Sequence, residues 1–149
     1  MKRIAAVLVA AAMAMSFAPS AFAAEGTALT EIRTGVHAGF DRVEFEFTGA
    51  RPGVAEYRTT ELERCGSGKP MWAPGDEFLV VTMQPANAHD HTGPREFETP
   101  GLSQVRGVAN TCDFEAHLEF AIGYAGTGRA YTVSVQDNPT RVVVDIHNS

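Results

Sequence analysis

The run RVEFEF at residues 42–47 decides the fold class of this chain. Polar and apolar side chains alternate strictly in it, so its three apolar residues share one face of an extended strand and its three charged residues share the other. A strand of this kind has one buried face and one solvated face, as strands of antiparallel sheets commonly do. The run therefore predicts an antiparallel sheet with a hydrophobic core on one side.

Further strands are predicted on both sides of this run. Residues 78–83 read FLVVTM, a continuous apolar run typical of a strand that is covered on both faces. The other predicted strands lie near residues 28–34, 54–60, 103–109, 114–122, 131–135 and 141–146. Two stretches rich in Gly and Pro, at 62–74 and 85–101, are predicted to be loops, and Asn110-Thr111 is predicted to turn a hairpin. Many short strands favour an all-β, single-domain β-sandwich of two short-stranded antiparallel sheets, with an open barrel as the alternative.

The first 23 residues have the pattern of an export signal. A basic start is followed by IAAVLVAAAMAM at 4–15, which is shorter than the ~20 apolar residues that span a bilayer. The small-x-small run AFA at 21–23 predicts cleavage before Ala24, the alternative being an uncleaved membrane anchor. We therefore predict a signal peptide at 1–23, one domain at 24–149, and a secreted protein, extracellular or cell-wall associated, with no membrane insertion after cleavage.

The mature chain is acidic. Residues 1–23 contain two of the twelve cationic residues and none of the eighteen acidic ones, so the remainder carries a charge of −8. Lys69 is its only lysine. Phosphate polymers repel such a chain, so nucleic acid is excluded as a partner.

Export gives the two cysteines a structural meaning. Cys65 and Cys112 are the only cysteines, and an even number in an oxidising compartment favours a disulfide. The alternative is a reactive or metal-binding thiol. We predict the bridge, because neither cysteine lies in a CxxC pair or beside a lysine.

Several short motifs occur in a fixed order along the mature chain. They are GFDRVEFEF at 39–47, PANAHD at 85–90, TGPR at 92–95, GVA at 107–109, DFE at 113–115, IG at 122–123 and RVVVDI at 141–146. Together they resemble the AMIN-like domain of secreted actinobacterial proteins, which is related in pattern to the AMIN domain of cell-wall amidases and secretin pores. The resemblance implies a β-sandwich with a non-catalytic role at the cell envelope. For AMIN domains proper, that role is to bind peptidoglycan and position a partner.

Neither a metal site nor a catalytic site is predicted. His89 and His91 flank Asp90, but zinc needs a third protein ligand, and no HxxxH or HExxH spacing is present. A polar loop is the alternative interpretation of this cluster. None of the four serines of the mature region lies in a GxSxG or SxxK pattern. We expect no cofactor and no enzymatic activity, and a hydrolase is the third function considered.

Three residues are predicted to bind a ligand. Arg42 and Arg141 carry guanidinium groups suited to bidentate bonds with a carboxylate of a peptidoglycan stem peptide, the alternative being cross-strand ion pairs. Trp72 is the only tryptophan and is suited to stacking on a sugar, the alternative being a lid over one end of the sandwich.

The predicted function is a non-catalytic binding or scaffolding module of the cell envelope, with peptidoglycan as its ligand. The alternative is a secreted protein–protein interaction module that binds an envelope protein. A glycan site predicts a shallow groove with Trp72 or tyrosine side chains, whereas a protein site predicts a flat apolar patch.

Overall fold

Strands make up all the regular secondary structure that the computed structural model describes, which covers residues 26–149. The predicted signal peptide at 1–23 lies outside this range and stays a prediction. The strands are β1 (Ala28–His37), β2 (Phe40–Thr48), β3 (Gly53–Thr59), β4 (Leu62–Glu63), β5 (Pro70–Met71), β6 (Glu77–Gln84), β7 (Glu96–Glu98), β8 (Val105–Phe114), β9 (His117–Tyr124), β10 (Tyr131–Gln136) and β11 (Thr140–His147). Within 26–149 there is no helix of the length and apolar character that crossing a membrane requires.

The strands form two main antiparallel sheets and one small hairpin. Sheet I has the order β1-β2-β11-β10, and sheet II has the order β3-β6-β9-β8-β7. Strands β4 and β5 pair only with each other. Since β2 and β11 are the central strands of sheet I, the two similar runs RVEFEF and RVVVDI lie side by side, with Arg42 opposite Asp145.

The main core lies between the two sheets. The apolar face of RVEFEF, which is Val43, Phe45 and Phe47, is at most 2% exposed. It packs in one cluster with buried residues of sheet II, and the Phe45 and Phe120 ring centroids are 5.0 Å apart. The predicted all-β sandwich is therefore confirmed, and the open-barrel alternative is wrong, because two separate sheets pack face to face.

A second, smaller core covers the outer face of sheet II. Strand β6 contributes Phe78 and Val80 to it, and the stretch 62–74 contributes Leu62 and Ala73. This explains why FLVVTM is apolar on both sides, as its sequence predicted. The stretch predicted as a loop over 62–74 contains the β4–β5 hairpin and forms a thin third layer.

The predicted hairpin between β8 and β9 exists, but the predicted turn at Asn110-Thr111 is wrong. Strand β8 continues to Phe114, and the chain turns at Glu115 and Ala116, whose φ angles are 49° and 61°. Positive φ angles are usually adopted by Gly or Asn. Neither residue is present at this turn, so the sequence does not mark it. The pairing register shifts just after Asn110, and its side-chain amide donates to the Cys112 and Glu119 carbonyls, at 2.9 Å each.

Residues 85–95, which hold two of the motifs, run from β6 to β7 of sheet II and form hydrogen bonds with β1 of sheet I. Leu29 of β1 donates its backbone N–H to the Asn87 carbonyl at 2.8 Å. At the other end, Arg95 forms a 2.9 Å ion pair with Asp113 of β8 and donates to the Ala88 carbonyl. These motif residues are therefore accounted for by contacts that hold the fold together. Strand β7 follows directly, inside the stretch 85–101 that was predicted to be a loop.

Candidate functional site

A disulfide attaches the β4–β5 hairpin to sheet II. Cys65 lies between β4 and β5, and its sulfur bonds that of Cys112 on β8 with a Cα–Cα distance of 5.2 Å. The Cys65 backbone N–H also donates to the Thr111 carbonyl at 3.1 Å. The predicted bridge is confirmed, so neither cysteine is available as a reactive or metal-binding thiol.

Two facing glycines make room for the segment that follows the hairpin. Gly107 of β8 and Gly123 of β9 are paired in sheet II, and Pro74 packs directly on them. A Cβ atom on Gly107 would lie 2.6 Å from Pro74 Cγ, and one on Gly123 would overlap the Pro74 carbonyl oxygen. A side chain at either position would displace Pro74. Glycine at both positions therefore allows the segment 72–75 to pack close to the sheet.

Trp72 stands out from this attached segment into solvent. The residue is 78% exposed, so it does not cover an end of the sandwich as the lid alternative supposed. It lines a depression of about 370 Å³, together with residues that include Leu62, Met71 and Phe78. It also lines a second depression of about 210 Å³, together with residues that include Pro74 and Ala109.

A third depression of about 260 Å³ continues this surface beyond Leu62. It shares Glu61, Leu62 and Glu63 with the first depression, as the first shares Trp72 and Ala73 with the second. We call the three adjoining depressions the Trp72 groove. The groove runs over the outer side of sheet II and the β4–β5 hairpin.

Carboxylates line the Trp72 groove. Glu61 and Glu63 line the first and third depressions, and Glu96 and Glu98 line the second. No arginine or lysine is among the described residues that line it. Arg64, next to Glu63 in sequence, pairs with Glu96 at 2.8 Å between Nη2 and Oε1. The charged side chains that line the groove are therefore all acidic.

One wall of the third depression presents a fixed acceptor and a neutral donor. Glu119 is held by hydrogen bonds from the hydroxyls of Thr111 at 2.6 Å and Thr82 at 3.1 Å. Partial desolvation raises the pKa of the nearby Tyr57, and the charge of Glu119 raises it further, so the phenol keeps its proton at neutral pH. Such a pair suits hydrogen bonding to the hydroxyl and N–H groups of a polar ligand.

The two predicted arginines lie on the outer face of sheet I, on the opposite side of the sandwich from Trp72. Arg42 binds Asp145 through two bonds, Nε to Oδ1 at 2.7 Å and Nη2 to Oδ2 at 2.9 Å, and this hydrogen bonding raises the pKa of Arg42. Arg141 Nη1 lies 3.9 Å from Glu44 Oε2. The cross-strand alternative thus describes Arg42 well, and a ligand carboxylate would have to displace Asp145. The structure does not bring the arginines and Trp72 into one site.

The two histidines of the 85–95 connection point to different partners. His89 Nε2 lies 3.5 Å from Asp113 Oδ1, whereas His91 Nδ1 lies 3.0 Å from the Thr30 carbonyl oxygen. Over residues 26–149, no three His, Cys, Asp or Glu side chains are grouped so as to hold a metal ion.

Sequence reasoning missed most residues of the Trp72 groove. Tyr57 carried no alternation signal, since Glu56 and Arg58 on either side of it are exposed as well. Glu61, Glu63 and Glu98 carried none, because they come together only through the packing of the β4–β5 hairpin on sheet II and the pairing of β7 with β8.

A comparison with protein-family models finds one match. The model described as "AMIN-like domain" matches residues 27–148. No curated protein and no solved structure matches the chain significantly.

Proposed function

This chain belongs to the AMIN-like domain family, and on that premise we propose that it is a secreted, non-catalytic module that binds peptidoglycan through the Trp72 groove. AMIN-like domains are typical of extracytoplasmic proteins and are generally non-catalytic, cell-wall-related binding modules. The proposal adds export through the signal peptide at 1–23, a mature domain at 24–149, and the ligand. It also places the ligand on Trp72 and not on Arg42 and Arg141.

The exposure of Trp72 on an immobilised segment is the observation that carries the proposal. Trp72 is 78% exposed, so a ligand that covers its indole ring removes a large apolar surface from water. The disulfide and the packing of Pro74 on two glycines restrain its backbone before any ligand arrives. Little conformational entropy is then lost on binding, which favours affinity from a small contact area.

The shape of the surface favours a glycan over a protein partner. The large apolar side chains exposed in residues 26–149 are Val36, Tyr57, Trp72 and Phe114. Two of them, Tyr57 and Trp72, line the Trp72 groove, while Val36 and Phe114 are outside its lining. A groove with a projecting aromatic ring and fixed hydrogen-bonding groups suits a polysaccharide, whereas a protein site would need a larger apolar area.

We expect Trp72→Ala to weaken binding to purified peptidoglycan sacculi by roughly 30-fold. Truncating a tryptophan at the centre of a binding site typically costs about 2 kcal/mol, which corresponds to that factor. The measurement is co-sedimentation of the mature protein with sacculi stripped of secondary polymers. Since Trp72 is exposed and makes little contact within the fold, the variant should keep the wild-type melting temperature.

The matched control is the double variant Arg42→Ala, Arg141→Ala, checked to be folded, which should pellet as wild type does. Loss of pelleting in this control, with full pelleting of Trp72→Ala, would move the site to the outer face of sheet I. If wild-type protein does not pellet at any salt concentration, the peptidoglycan proposal fails and an envelope protein becomes the preferred partner.

A further inference from the structure

We propose that the Trp72 groove selects glycan strands in which glucosamine units carry a free ammonium group in place of the acetamide. This inference rests on the proposed function and adds the chemical form of the glycan. The observation behind it is that Trp72 is exposed, that each of the three depressions is lined by carboxylates, and that no basic side chain is in the described lining.

Carboxylates line both of the depressions that Trp72 lines. Glu61 and Glu63 line the first depression, and Glu98 lines the second. Each of these residues is exposed, and no side-chain hydrogen bond or ion pair engages its carboxylate within the described structure. They are therefore free to accept hydrogen bonds from a ligand, unlike Glu96, which is paired with Arg64.

An ammonium group fits this environment better than an acetamide does. An ionised carboxylate only accepts hydrogen bonds, and an ammonium offers it three donors and a positive charge. The acetamide offers one donor and a carbonyl oxygen, which the carboxylates repel. Charge-assisted hydrogen bonds are about twice as strong as neutral ones, and the indole face attracts a cation as well.

A glycan strand is favoured over a stem-peptide amine by the layout of the groove. The three depressions adjoin one another in a row, with Glu61, Leu62 and Glu63 shared at one junction and Trp72 and Ala73 at the other. A row of shallow, connected depressions suits successive rings of a linear polymer. A single lysine-like amine would occupy only one of them.

The experiment compares the binding of two soluble hexamers to the mature protein by isothermal titration calorimetry. One is the β-1,4-linked hexamer of glucosamine, and the other is the hexamer of N-acetylglucosamine, at a pH at which the free amines are protonated. We expect the glucosamine hexamer to bind at least about 10-fold more tightly at low salt. This advantage should shrink as salt is added, because salt screens the exposed carboxylates.

Two variants of equal charge separate the groove from the overall negative charge of the protein. In Glu61→Gln, Glu98→Gln the groove loses two carboxylates, and in Glu56→Gln, Asp90→Asn two exposed carboxylates outside the groove are lost. We expect the groove variant to lose about 10-fold in affinity for the glucosamine hexamer and the control less than about 2-fold. Equal losses in both variants would mean non-specific charge attraction and would overturn the inference.

The remaining outcomes distinguish this inference from the proposed function. Equal or tighter binding of the acetylated hexamer would overturn the inference and leave peptidoglycan binding intact. Displacement of the glucosamine hexamer by a lysine-containing stem peptide at equal concentration would assign the groove to the peptide and overturn it too. If neither hexamer binds, the inference fails, and co-sedimentation with sacculi then decides whether the proposed function fails with it.

Discussion

Replacing Cys65 and Cys112 with serine should lower the free energy of unfolding of the mature domain by about 4 kcal/mol. The two residues are 47 positions apart, and closing a loop of that length removes about this much chain entropy from the unfolded state. Chemical denaturation of the double variant beside wild type measures the difference. In thermal melts, we expect a midpoint lower by on the order of 10–15 °C.

Reduction of wild-type protein provides the control for this experiment. A reducing agent should lower the midpoint of wild type towards that of the double variant and leave the variant unchanged. A variant as stable as oxidised wild type would contradict the account, because the bridge would then add nothing to the attachment of the hairpin.

Gly123→Ala should destabilise the domain by about 3 kcal/mol and weaken sacculus binding along with it. The added Cβ would overlap the Pro74 carbonyl oxygen and lie 2.9 Å from the Phe78 ring, so the segment 72–75 must move away from sheet II. Overpacking of this kind typically costs 1–3 kcal/mol, and here the obstacle is backbone. Denaturation measures the loss of stability, and co-sedimentation under native conditions measures the loss of binding.

Gly101→Ala is the matched control, since a Cβ atom there meets nothing within 4 Å. It should keep both wild-type stability and wild-type binding. If Gly123→Ala behaved like this control, the close contact between Pro74 and the sheet would be wrong, and the presentation of Trp72 would need another explanation.

The fold could be predicted from the sequence wherever the hydrophobic pattern within a single strand shows which of its faces are buried. RVEFEF alternates because β2 is buried on one face, and FLVVTM does not because β6 has a core on each side. The hairpin turn could not be predicted, because Glu115 and Ala116 adopt positive φ without the residues that normally mark it. The sequence predicts a turn at Asn110, whereas its side-chain amide donates a hydrogen bond beside a register shift inside β8.

The candidate site was less accessible to sequence reasoning because its parts are far apart in the chain. Trp72 could be singled out, and the alternation that places Arg42 on the solvated face could be recognised. That these residues lie on opposite faces depends on which sheet each segment joins. The packing of Pro74 on sheet II depends on the pairing of Gly107 with Gly123 across two strands, which no local sequence pattern encodes.

The fluorescence of Trp72 tests directly whether a glycan binds over its indole ring, because Trp72 is the only tryptophan in the chain. Wild-type mature protein is titrated with soluble glycan fragments released from sacculi, while the emission maximum and the quenching by acrylamide are followed. We expect a shift to shorter wavelength and reduced quenching, both saturating with the dissociation constant that calorimetry gives. Fragments that bind by calorimetry and leave the emission and quenching of Trp72 unchanged would contradict the proposed site on Trp72.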